Sequence, residues 1–458
     1  MATAYLSRTA TTPTNNKKQT ISMWVKRTGL APADNMGIVN FVNASSPSNS
    51  TFHIYFSNDV IGCFYKDPSV TRLNLFTSRK FRDTSGWYHI VFAIDTTQGT
   101  ASNRAKLYVN GVQETSFTTS DYPVQDTTFL DSGDTLQVGR YTATNGTHKY
   151  FDGQLAHVHF VDGTAYTPST FGETDATTGI WKPKTSPTVT YGANGFFLKF
   201  DNSANMGLDS AGSNNLTTSG TIVSVKDTPT NVFACLNRLD FDPSNTTLTN
   251  INSTLTGGNQ GVAYNTVRAN MGATKGKWYW EVKAADNAEI DQIGVSEMTF
   301  RPAIGNTGGF TSNINAYGVQ LSNGYKVGSG QSGAAYMGGF SANDIMMIAL
   351  DLDNDKITFG KNGQWADGSG NVNQTYGNST AAFTGLTSDL GYMPTQCMRD
   401  SAGNNSGTSH YNFGGGVFGT SAVASAQSPD DGIGVFEYDP PTGFRAWCTK
   451  SLTAQEFN

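Results

Sequence analysis

Apolar and polar residues alternate along this chain in short runs that end at Gly, Asn, Asp or Ser, while helical periodicity is nearly absent. Successive side chains of a β-strand point to opposite faces of a sheet, so a two-residue period predicts strands. Examples are the runs 20–26, 87–94, 278–283 and 345–350. Short strands at regular spacing, joined by turn residues, predict an all-β chain of antiparallel β-sandwiches of the jelly-roll type.

A hairpin is predicted between residues 105 and 117, where two alternating runs flank Asn110 and Gly111. Asn-Gly favours a two-residue turn because both of its positions need positive φ. The 50 glycines of the chain and its aromatic content of 12% agree with many tight turns and strands. The apolar side chains suffice for packed cores, which excludes a disordered chain.

The length of the chain predicts two or three domains, because 458 residues exceed one ordinary core. Residues 201–220 are rich in Asn, Ser, Gly and Thr and show no strong periodicity, which indicates a boundary. We therefore predict two jelly-roll sandwiches in series. The expected divisions are a first sandwich over 1–200, a linker over 201–231, a second sandwich over 232–425 and a C-terminal segment over 426–458.

Charge argues against nucleic acid as a partner. The net charge is −6 and no basic run occurs, whereas a nucleic-acid binder needs a positive stripe. The N-terminus lacks the basic and apolar regions of a signal peptide, and no apolar stretch reaches the roughly 18 residues of a membrane span. Four widely spaced cysteines predict buried thiols rather than disulfides or a metal site. These features indicate synthesis in the cytoplasm and no membrane insertion.

The sequence gives no catalytic constellation. Sugar hydrolases on this kind of fold need two carboxylates on one strand face. The string EIDQIG (289–294) resembles the start of such a strand, but Ile293 and Gly294 stand where the second glutamate would be. We interpret these carboxylates as solvated strand-end groups. No G-x-S-x-G nucleophile turn is present, and we predict a protein that is not an enzyme.

Metal sites are equally sparse in the sequence. Asp351, Asp353 and Asp355 resemble the opening of a calcium loop, but Asn362 stands where its final glutamate would be, so we predict a turn between two strands. His157 and His159 share a strand face without a visible third ligand. No cofactor and no metal residue is predicted. Calcium remains open, with solvated turn aspartates as the alternative, and the candidate residues are Asp95, Asp134 and Asp152.

The first half resembles the laminin-G and concanavalin-A-like jelly roll over roughly residues 15–165. The resemblance is carried by ISMWVK (21–26), GWYHIVF (86–92), KLYVNG (106–111) and FDGQLAHV (151–158), in the order typical of that family. It implies a binding sandwich that often holds calcium.

The second half resembles a SPRY domain over roughly residues 232–415. The residues concerned are KGKWYWEV (275–282), DIMMIALDLD (344–353) and ITFGKNG (357–363). SPRY domains are binding sandwiches, so this resemblance also implies recognition rather than catalysis.

The junction resembles tail-fibre and other structural proteins of marine bacteriophages. The matching segments of the junction are FGE (171–173), WKPK (181–184), GFFLKF (195–200) and DTPTN (227–231). The tail segment PTGFRA (441–446) is similar to the C-terminal segments of the same proteins. This implies a virion protein that is made in the host cytoplasm, binds other virion proteins and contributes to recognition of the host surface. The alternatives are a head or tail decoration protein and, less favoured, a polysaccharide depolymerase.

Sugar-binding surfaces present aromatic rings to the apolar faces of hexoses, with polar groups nearby for the hydroxyls. Polar, aromatic loops of this kind occur in both halves, although a packing role is the alternative for each ring. The candidate ligand-binding residues are Tyr141, Asn145, Tyr150, Tyr336 and Trp365. We also expect a homotrimer, because the exposed edge strands of a sandwich have to be covered.

Overall fold

The structure is a computed structural model. It describes residues 3–30, 35–43, 51–67, 70–143, 147–241, 246–257, 264–286, 291–299, 309–312, 315–328, 331–386, 389, 391–399 and 407–456. Among the helices of these residues, none has the length and apolar character that a membrane crossing requires. The chain divides into two compact units, Met1–Ser224 and Val225–Asn458. Each unit is built on two packed antiparallel sheets, so the predicted all-β architecture of two sandwiches in series is confirmed.

The first unit consists of short strands and two single 3-10 turns, Ala101–Asn103 and Pro168–Thr170. Its strands are β1 (Tyr5–Thr9), β2 (Lys18–Arg27), β3 (Met36–Val42), β4 (Thr51–Ser57), β5 (Val60–Lys66), β6 (Thr71–Thr77), β7 (Tyr88–Asp95), β8 (Ala105–Val109), β9 (Val112–Gln113), β10 (Phe117–Asp121), β11 (Thr135–Val138), β12 (Arg140–Thr142), β13 (His148–Tyr150), β14 (Gly153–Asp162), β15 (Gly172–Thr174), β16 (Trp181–Pro183), β17 (Phe196–Leu198) and β18 (Thr217–Ser219).

Two sheets form the sandwich of the first unit. The larger has eight strands in the order β10-β6-β5-β4-β3-β11-β1-β18, and the smaller has six in the order β17-β14-β2-β7-β8-β9. The predicted Asn-Gly hairpin joins β8 to β9, with φ of 50° at Asn110 and 82° at Gly111. The core lies between the sheets, where rings such as Phe41, Phe52 and Phe160 pack against each other.

The stretch expected as a linker contributes to the first unit. Strand β18 pairs with β1 at the edge of the eight-stranded sheet, and Leu216 is buried in the core. Residues up to Ser224 therefore belong to this compact unit. Asn, Ser and Gly dominate the composition of this segment, which favours a linker. The buried side chain of Leu216 and the pairing of Thr217–Ser219 with β1 nevertheless fix the segment to the first unit.

The second unit has a similar make-up, with 3-10 turns at Gly309–Ser312 and Tyr376–Asn378 and one α-helix among its described residues, α1 (Thr449–Glu456). Its strands are β19 (Thr246–Thr249), β20 (Thr254–Gly257), β21 (Asn265–Arg268), β22 (Lys277–Ala284), β23 (Gln292–Glu297), β24 (Ala316–Gln320), β25 (Tyr325–Gly328), β26 (Gln331–Ala335), β27 (Ile345–Asp351), β28 (Lys356–Lys361), β29 (Gln364–Ala366), β30 (Val372–Gln374), β31 (Phe383–Thr384), β32 (Tyr392–Met398), β33 (Thr408–Asn412), β34 (Val417–Phe418), β35 (Ser421–Ala422) and β36 (Arg445–Ala446).

The two sheets of the second unit have ten and six strands. The larger follows the order β19-β20-β33-β22-β27-β28-β29-β30, with β31 beside β28 and β36 beside β22, and the smaller follows β21-β32-β23-β24-β25-β26. Alternation along β22 sends Trp278 and Trp280 into the core, where Trp447 stacks on Trp278 at 4.5 Å between ring centroids. Because Trp447 fills this core, the C-terminal segment is part of the second sandwich.

Residues 427–448, which we call the C-terminal strap, cover the outer face of the ten-stranded sheet. Gln427 bridges Phe436, β36 runs parallel to β22, and Cys448 bridges Phe233. The strap encloses a second apolar cluster against outward-pointing side chains of the sheet. Its buried members are Phe233, Tyr279, Met347, Ala349, Trp365, Phe436, Phe444, Ala446 and Cys448.

Candidate functional site

One row of side chains crosses the outer face of the eight-stranded sheet of the first unit. Its members oppose one another across successive strands, and adjacent strands lie about 4.8 Å apart. Neutral polar and aromatic side chains make up most of the row. In order from β10 to β1, the row is Asp121, Asn74, Phe64, His53, Asn40, Gln137 and Ser7.

Strand alternation explains how polar groups come to share this face with aromatic rings. Along β4, Phe52 and Ile54 point into the core, so His53 and Tyr55 point outward. Phe76 lies on the same outer face, and its ring centroid is 5.9 Å from that of Tyr55. An antiparallel sheet whose outer face contacts only water would carry mostly polar side chains there and fewer aromatic rings.

The hairpin of β12 and β13 covers one part of this face. The ring of Tyr141 lies 4.7 Å from that of His53 and 5.2 Å from that of Tyr55. Close approach depends on Gly37, because a Cβ atom there would stand 2.2 Å from the backbone nitrogen of Tyr141. The hairpin therefore forms a wall above β3 and β4. Its described residues leave the outer side of β5, β6 and β10 open.

Beneath the wall, polar side chains form hydrogen bonds with one another. The hydroxyl of Thr51 donates to Asn40 Oδ1 at 2.9 Å, and Asn40 Nδ2 donates to Gln137 Oε1 at 3.1 Å. Thr51 also lies 3.3 Å from Nδ1 of His53. Burial lowers the pKa of His53 to about 3, so this ring is neutral at physiological pH. The covered part of the row is thus a fixed, uncharged support for the open part.

The open part, which we call the open face, consists of the outward side chains of β5 and β6. Phe64, Asn74 and Phe76 are half-buried there. Gly62 leaves room for the rings, because a Cβ atom at that position would lie 2.9 Å from both Phe76 and Tyr55. Oδ1 of Asn74 is buried and has no hydrogen-bond partner among the described residues. This oxygen lies beneath the surface, so the half-buried rings of Phe64 and Phe76 supply what the open face offers to a ligand.

The predicted ligand residues of the first unit lie on or near the wall. Tyr141 is buried, and its hydroxyl accepts a hydrogen bond from Asn35 Nδ2 at 2.8 Å, so it supports the wall. Tyr150 is half-buried and lies 6.4 Å from the ring of Tyr5. Asn145 lies outside the described residues. The role of Tyr150 and Asn145 in ligand binding stays a prediction.

The two predicted ligand residues of the second unit are packing residues. Tyr336 is 1% exposed, and its hydroxyl donates to the carbonyl of Thr380 at 2.7 Å. Trp365 is 4% exposed and lies 5.0 Å from the ring of Tyr376 under the C-terminal strap. Neither ring has a face open to a ligand, so the expectation of sugar stacking is corrected for both residues.

A buried serine and histidine meet in the six-stranded sheet of the first unit, but their hydrogen bonds do not activate the serine. Ser22 Oγ lies 2.9 Å from His89 Nε2, and Trp181 Nε1 lies 2.9 Å from His89 Nδ1. An indole N–H can only donate, so Nδ1 accepts and Nε2 carries the proton. His89 Nε2 then donates to Ser22 and cannot remove its proton. Both side chains are also fully buried.

His157 and His159 pack around one aromatic ring instead of a metal. Their rings lie 5.6 Å and 4.0 Å from that of Phe197, and His159 Nδ1 lies 2.8 Å from the hydroxyl of Tyr191. Burial lowers the pKa of both histidines. Within the described ranges, no three His, Cys, Asp or Glu side chains come together as a metal site.

The aspartates considered for calcium have protein partners. Asp95 accepts a hydrogen bond from Gln98 at 2.8 Å and pairs with Lys18 at 3.3 Å. Asp134 accepts one from the backbone of Asp131 at 2.9 Å. The backbone carbonyl of Asp152 accepts a hydrogen bond from the backbone N–H of Thr28 at 3.0 Å.

The carboxylates of the second unit are structural as well. Asp291 is buried and accepts hydrogen bonds from Gln396 Nε2 and the backbone of Arg399, so the expectation of a solvated group is wrong for this residue. Glu289 lies outside the described residues. The turn predicted after Asp351 is confirmed, because Asp351 pairs with Lys356 across the hairpin of β27 and β28. All four cysteines are free and buried, as predicted.

Sequence reasoning missed Phe64, Asn74 and Phe76. A signal was present, since strands 60–66 and 71–77 carry rings and an amide at positions that alternate with core residues. The predicted ligand residues were aromatic residues in loops, whereas Phe64, Asn74 and Phe76 lie on the face of a sheet. The geometry makes each of the two units an antiparallel β-sandwich.

Comparisons with known proteins agree with this class. Residues 2–170 match the family model of the concanavalin A-like lectin/glucanases superfamily, and residues 277–412 match the model of the SPRY domain. Both resemblances are therefore confirmed for these parts of the chain. The two kinds of domain fit a binding or recognition role. A comparison with curated proteins gives no match.

Several solved structures are similar to parts of the chain. The SPRY domain of human HERC1 is 18% identical and covers 37% of this chain and 96% of its own, with a TM-score of 0.28. A heptameric SAP-like pentraxin from Limulus polyphemus is 14% identical over 42% of this chain and 88% of its own, with a TM-score of 0.29. A putative carbohydrate binding protein from Bacteroides ovatus is 17% identical over 48% of this chain and 56% of its own, with a TM-score of 0.33.

Proposed function

We propose that this protein is a non-catalytic recognition protein whose first unit binds a glycan on the open face. The observation that carries the proposal is the pair of half-buried rings, Phe64 and Phe76, that lie beside Asn74 on this face of the sheet. Aromatic rings pack on the C–H face of a pyranose, and amide groups hydrogen-bond its hydroxyls. Strands β5, β6 and β10 span about 10 Å, which suits one or two sugar rings.

The scaffold favours binding because it is already fixed before a ligand arrives. Phe64 stacks on His53 at 5.1 Å, and His53 is held in turn by Tyr141 of the wall. A ring that is immobile in the free protein loses little conformational freedom on binding. The Ser22–His89 pair offers no activated nucleophile, because its proton lies on the wrong atom for nucleophilic attack. Lectin-like and SPRY domains are also generally non-catalytic binding domains.

The test is a glycan array probed with the full chain, followed by titration calorimetry on the glycans that bind. We expect Phe64→Ala and Asn74→Ala each to weaken binding at least about 10-fold, which corresponds to about 1.4 kcal/mol. Tyr325→Ala is the matched control, because Tyr325 is a 38% exposed ring in the second unit. Equal binding by wild type and Phe64→Ala, or equal loss in Tyr325→Ala, would contradict the proposed site.

We further propose that the protein is a virion component, an appendage that recognises a glycan of the host surface. The resemblance of the junction segments to phage structural proteins supports this proposal. Partners would then be other virion proteins, with a homotrimer as the assembled form. Mass spectrometry and cryo-electron microscopy of purified particles test the location, and light scattering tests the trimer. Presence on particles without any glycan binding would favour the decoration alternative.

A further inference from the structure

Three rings and one guanidinium group lie together on the side of the wall next to β1. Arg140 of β12 and Tyr150 of β13 are direct partners across the hairpin. Cζ of Arg140 lies 3.5 Å from the ring centroid of Tyr5. The ring of Tyr150 lies 6.4 Å from those of Tyr5 and His148. We call these four residues the wall site, and contacts between their side chains fix their positions.

Arg140 is held in place before any ligand arrives. The ring of Tyr5 covers one face of its guanidinium group in a cation–π contact. Its Nε donates to Gln137 Oε1 at 3.2 Å, and Gln137 also accepts from Asn40 at 3.1 Å. Because the ring and the hydrogen bond together define the plane of the group, its two terminal nitrogens have a fixed direction. A group fixed in this way loses little conformational freedom when it binds an anion.

The terminal nitrogens of Arg140 have no hydrogen-bond or ion-pair partner among the described residues, and neither is buried. Four other arginines of the same unit direct these nitrogens to acceptors of the protein, namely Arg8, Arg27, Arg79 and Arg104. Two parallel N–H donors match two oxygens of a carboxylate or a sulfate group. The wall site therefore presents an unused pair of donors that suits an anion.

The rings beside Arg140 indicate what else the ligand contains. Tyr150 is half-buried and His148 is exposed, so both rings have surface open to a partner. Partial burial and the nearby charge of Arg140 lower the pKa of His148, so this ring adds little positive charge at neutral pH. A tyrosine offers an apolar ring and a hydroxyl group, and a pyranose offers an apolar C–H face and hydroxyls. A sugar ring with a negative group fits this combination better than an acidic peptide does.

We propose that the wall site binds a saccharide that carries a carboxylate or a sulfate group. The guanidinium group of Arg140 holds the anionic group through two hydrogen bonds, and the ring of Tyr150 packs against the sugar. Strands β4, β3 and β11 separate this site from the open face, and the inference does not rest on the function proposed for that face. The net charge of −6 strengthens the argument, because a protein that repels anions as a whole needs a local cation to retain one.

The experiment measures the binding of dextran, carboxymethyl dextran and dextran sulfate to the full chain by titration calorimetry. These polymers share one backbone, and the two charged ones distinguish carboxylate from sulfate. We expect at least one charged polymer to bind about 10-fold or more tightly than dextran. Arg140→Gln should remove most of that difference. Arg140→Lys should also remove most of it, because an ammonium group cannot present two parallel donors. Tyr150→Ala should weaken binding of the same polymer.

Arg79→Gln is the matched control for loss of a positive charge. Arg79 also lies over a ring, that of Phe81, but it pairs with Glu114 at 2.9 Å and its side chain is 49% exposed. Its loss removes the same charge without removing an unused pair of donors. Melting curves followed by circular dichroism check that every variant is folded. Equal losses in Arg79→Gln and Arg140→Gln would mean general attraction of a polyanion and would overturn the proposal.

The remaining outcomes separate the wall site from the open face. Neutral glycans that bind in a manner dependent on Phe64, with no effect of Arg140→Gln on any polymer, would overturn the wall site and leave the open face intact. Charged polymers that bind in a manner dependent on Arg140, without binding of any neutral glycan, would support the wall site and contradict the open face. Poly-L-glutamate that binds as tightly as the charged dextrans would overturn the saccharide in favour of an acidic peptide.

Discussion

The outer faces of the two large sheets differ in what covers them. On the ten-stranded sheet of the second unit, the C-terminal strap seals apolar side chains such as Tyr279 and Trp365. On the eight-stranded sheet of the first unit, a short hairpin covers only part of a mixed aromatic and polar face, and Phe64 and Asn74 remain half-buried. Rings under a strap stabilise the fold, whereas rings beside a partial cover are available to a ligand.

One buried carboxylate helps to hold the strap in place. Glu281 points outward from β22 and accepts hydrogen bonds from the backbone of Glu437 at 2.9 Å and of Tyr438 at 2.8 Å. Tyr279 and Asn412 donate to the same carboxylate at 3.0 Å and 3.3 Å. Burial raises the pKa of Glu281 to about 7, even though these donors favour the charged form. The first unit has no comparable anchor over its open face within the described residues.

Truncation of a sealed ring gives the largest expected effect. We expect Trp365→Ala to lower the free energy of unfolding of the second unit by about 4 kcal/mol, because a buried Trp is replaced by a cavity. Differential scanning calorimetry measures the change, and hydrogen–deuterium exchange assigns it to residues 225–458. Phe64→Ala should have a much smaller effect on stability. A Trp365→Ala variant that kept its stability but lost glycan binding would contradict the conclusion that rings under the strap stabilise the fold and rings on the open face bind a ligand.

Removal of one acceptor oxygen of Glu281 is expected to be nearly as severe. Glu281→Gln places an amide N–H against donors that need an acceptor, so we expect a loss of about 3 kcal/mol. Exchange should rise first in the strap, between residues 427 and 448. The matched control is Glu173→Gln, since the Glu173 side chain is 47% exposed and its ion pair with Lys182 is long, at 3.8 Å. Equal stability of both variants would show that the strap does not depend on Glu281.

The sequence predicted the sandwiches better than it predicted their faces. Alternation along β22 and β27 depends on local residues, so the inward direction of Trp278 and Ile348 follows from the pattern alone. Whether an outward ring is exposed depends on a distant segment. Trp365 is sealed by the strap, whose Phe444 lies 79 positions further along the chain. The composition of a loop does not show whether a distant segment covers a ring. It therefore indicated Trp365 as a ligand residue and did not indicate Phe64 and Phe76.

The stability of the second unit should depend on pH through Glu281. Its pKa is about 7 in the folded state and near 4.5 when unfolded, so the folded state binds the proton more tightly. The resulting stabilisation is fully present below pH 4.5 and is lost as pH rises through 7. We expect the contribution to fall by about 2 kcal/mol between pH 5 and pH 8. Calorimetry at both values measures the change, and Glu281→Gln should abolish it.

The smallest expected effect concerns the wall of the open face. Tyr141→Phe removes the hydroxyl that accepts from Asn35 and keeps the ring on His53. We expect a loss of about 1 kcal/mol in the first unit and unchanged glycan affinity, because this hydroxyl supports the hairpin and does not face a ligand. Tyr325→Phe, at an exposed ring of the second unit, serves as the control. If Tyr141→Phe lost glycan binding at unchanged stability, the wall itself would be part of the binding surface. The ligand-binding face would then extend from β5 and β6 toward β3.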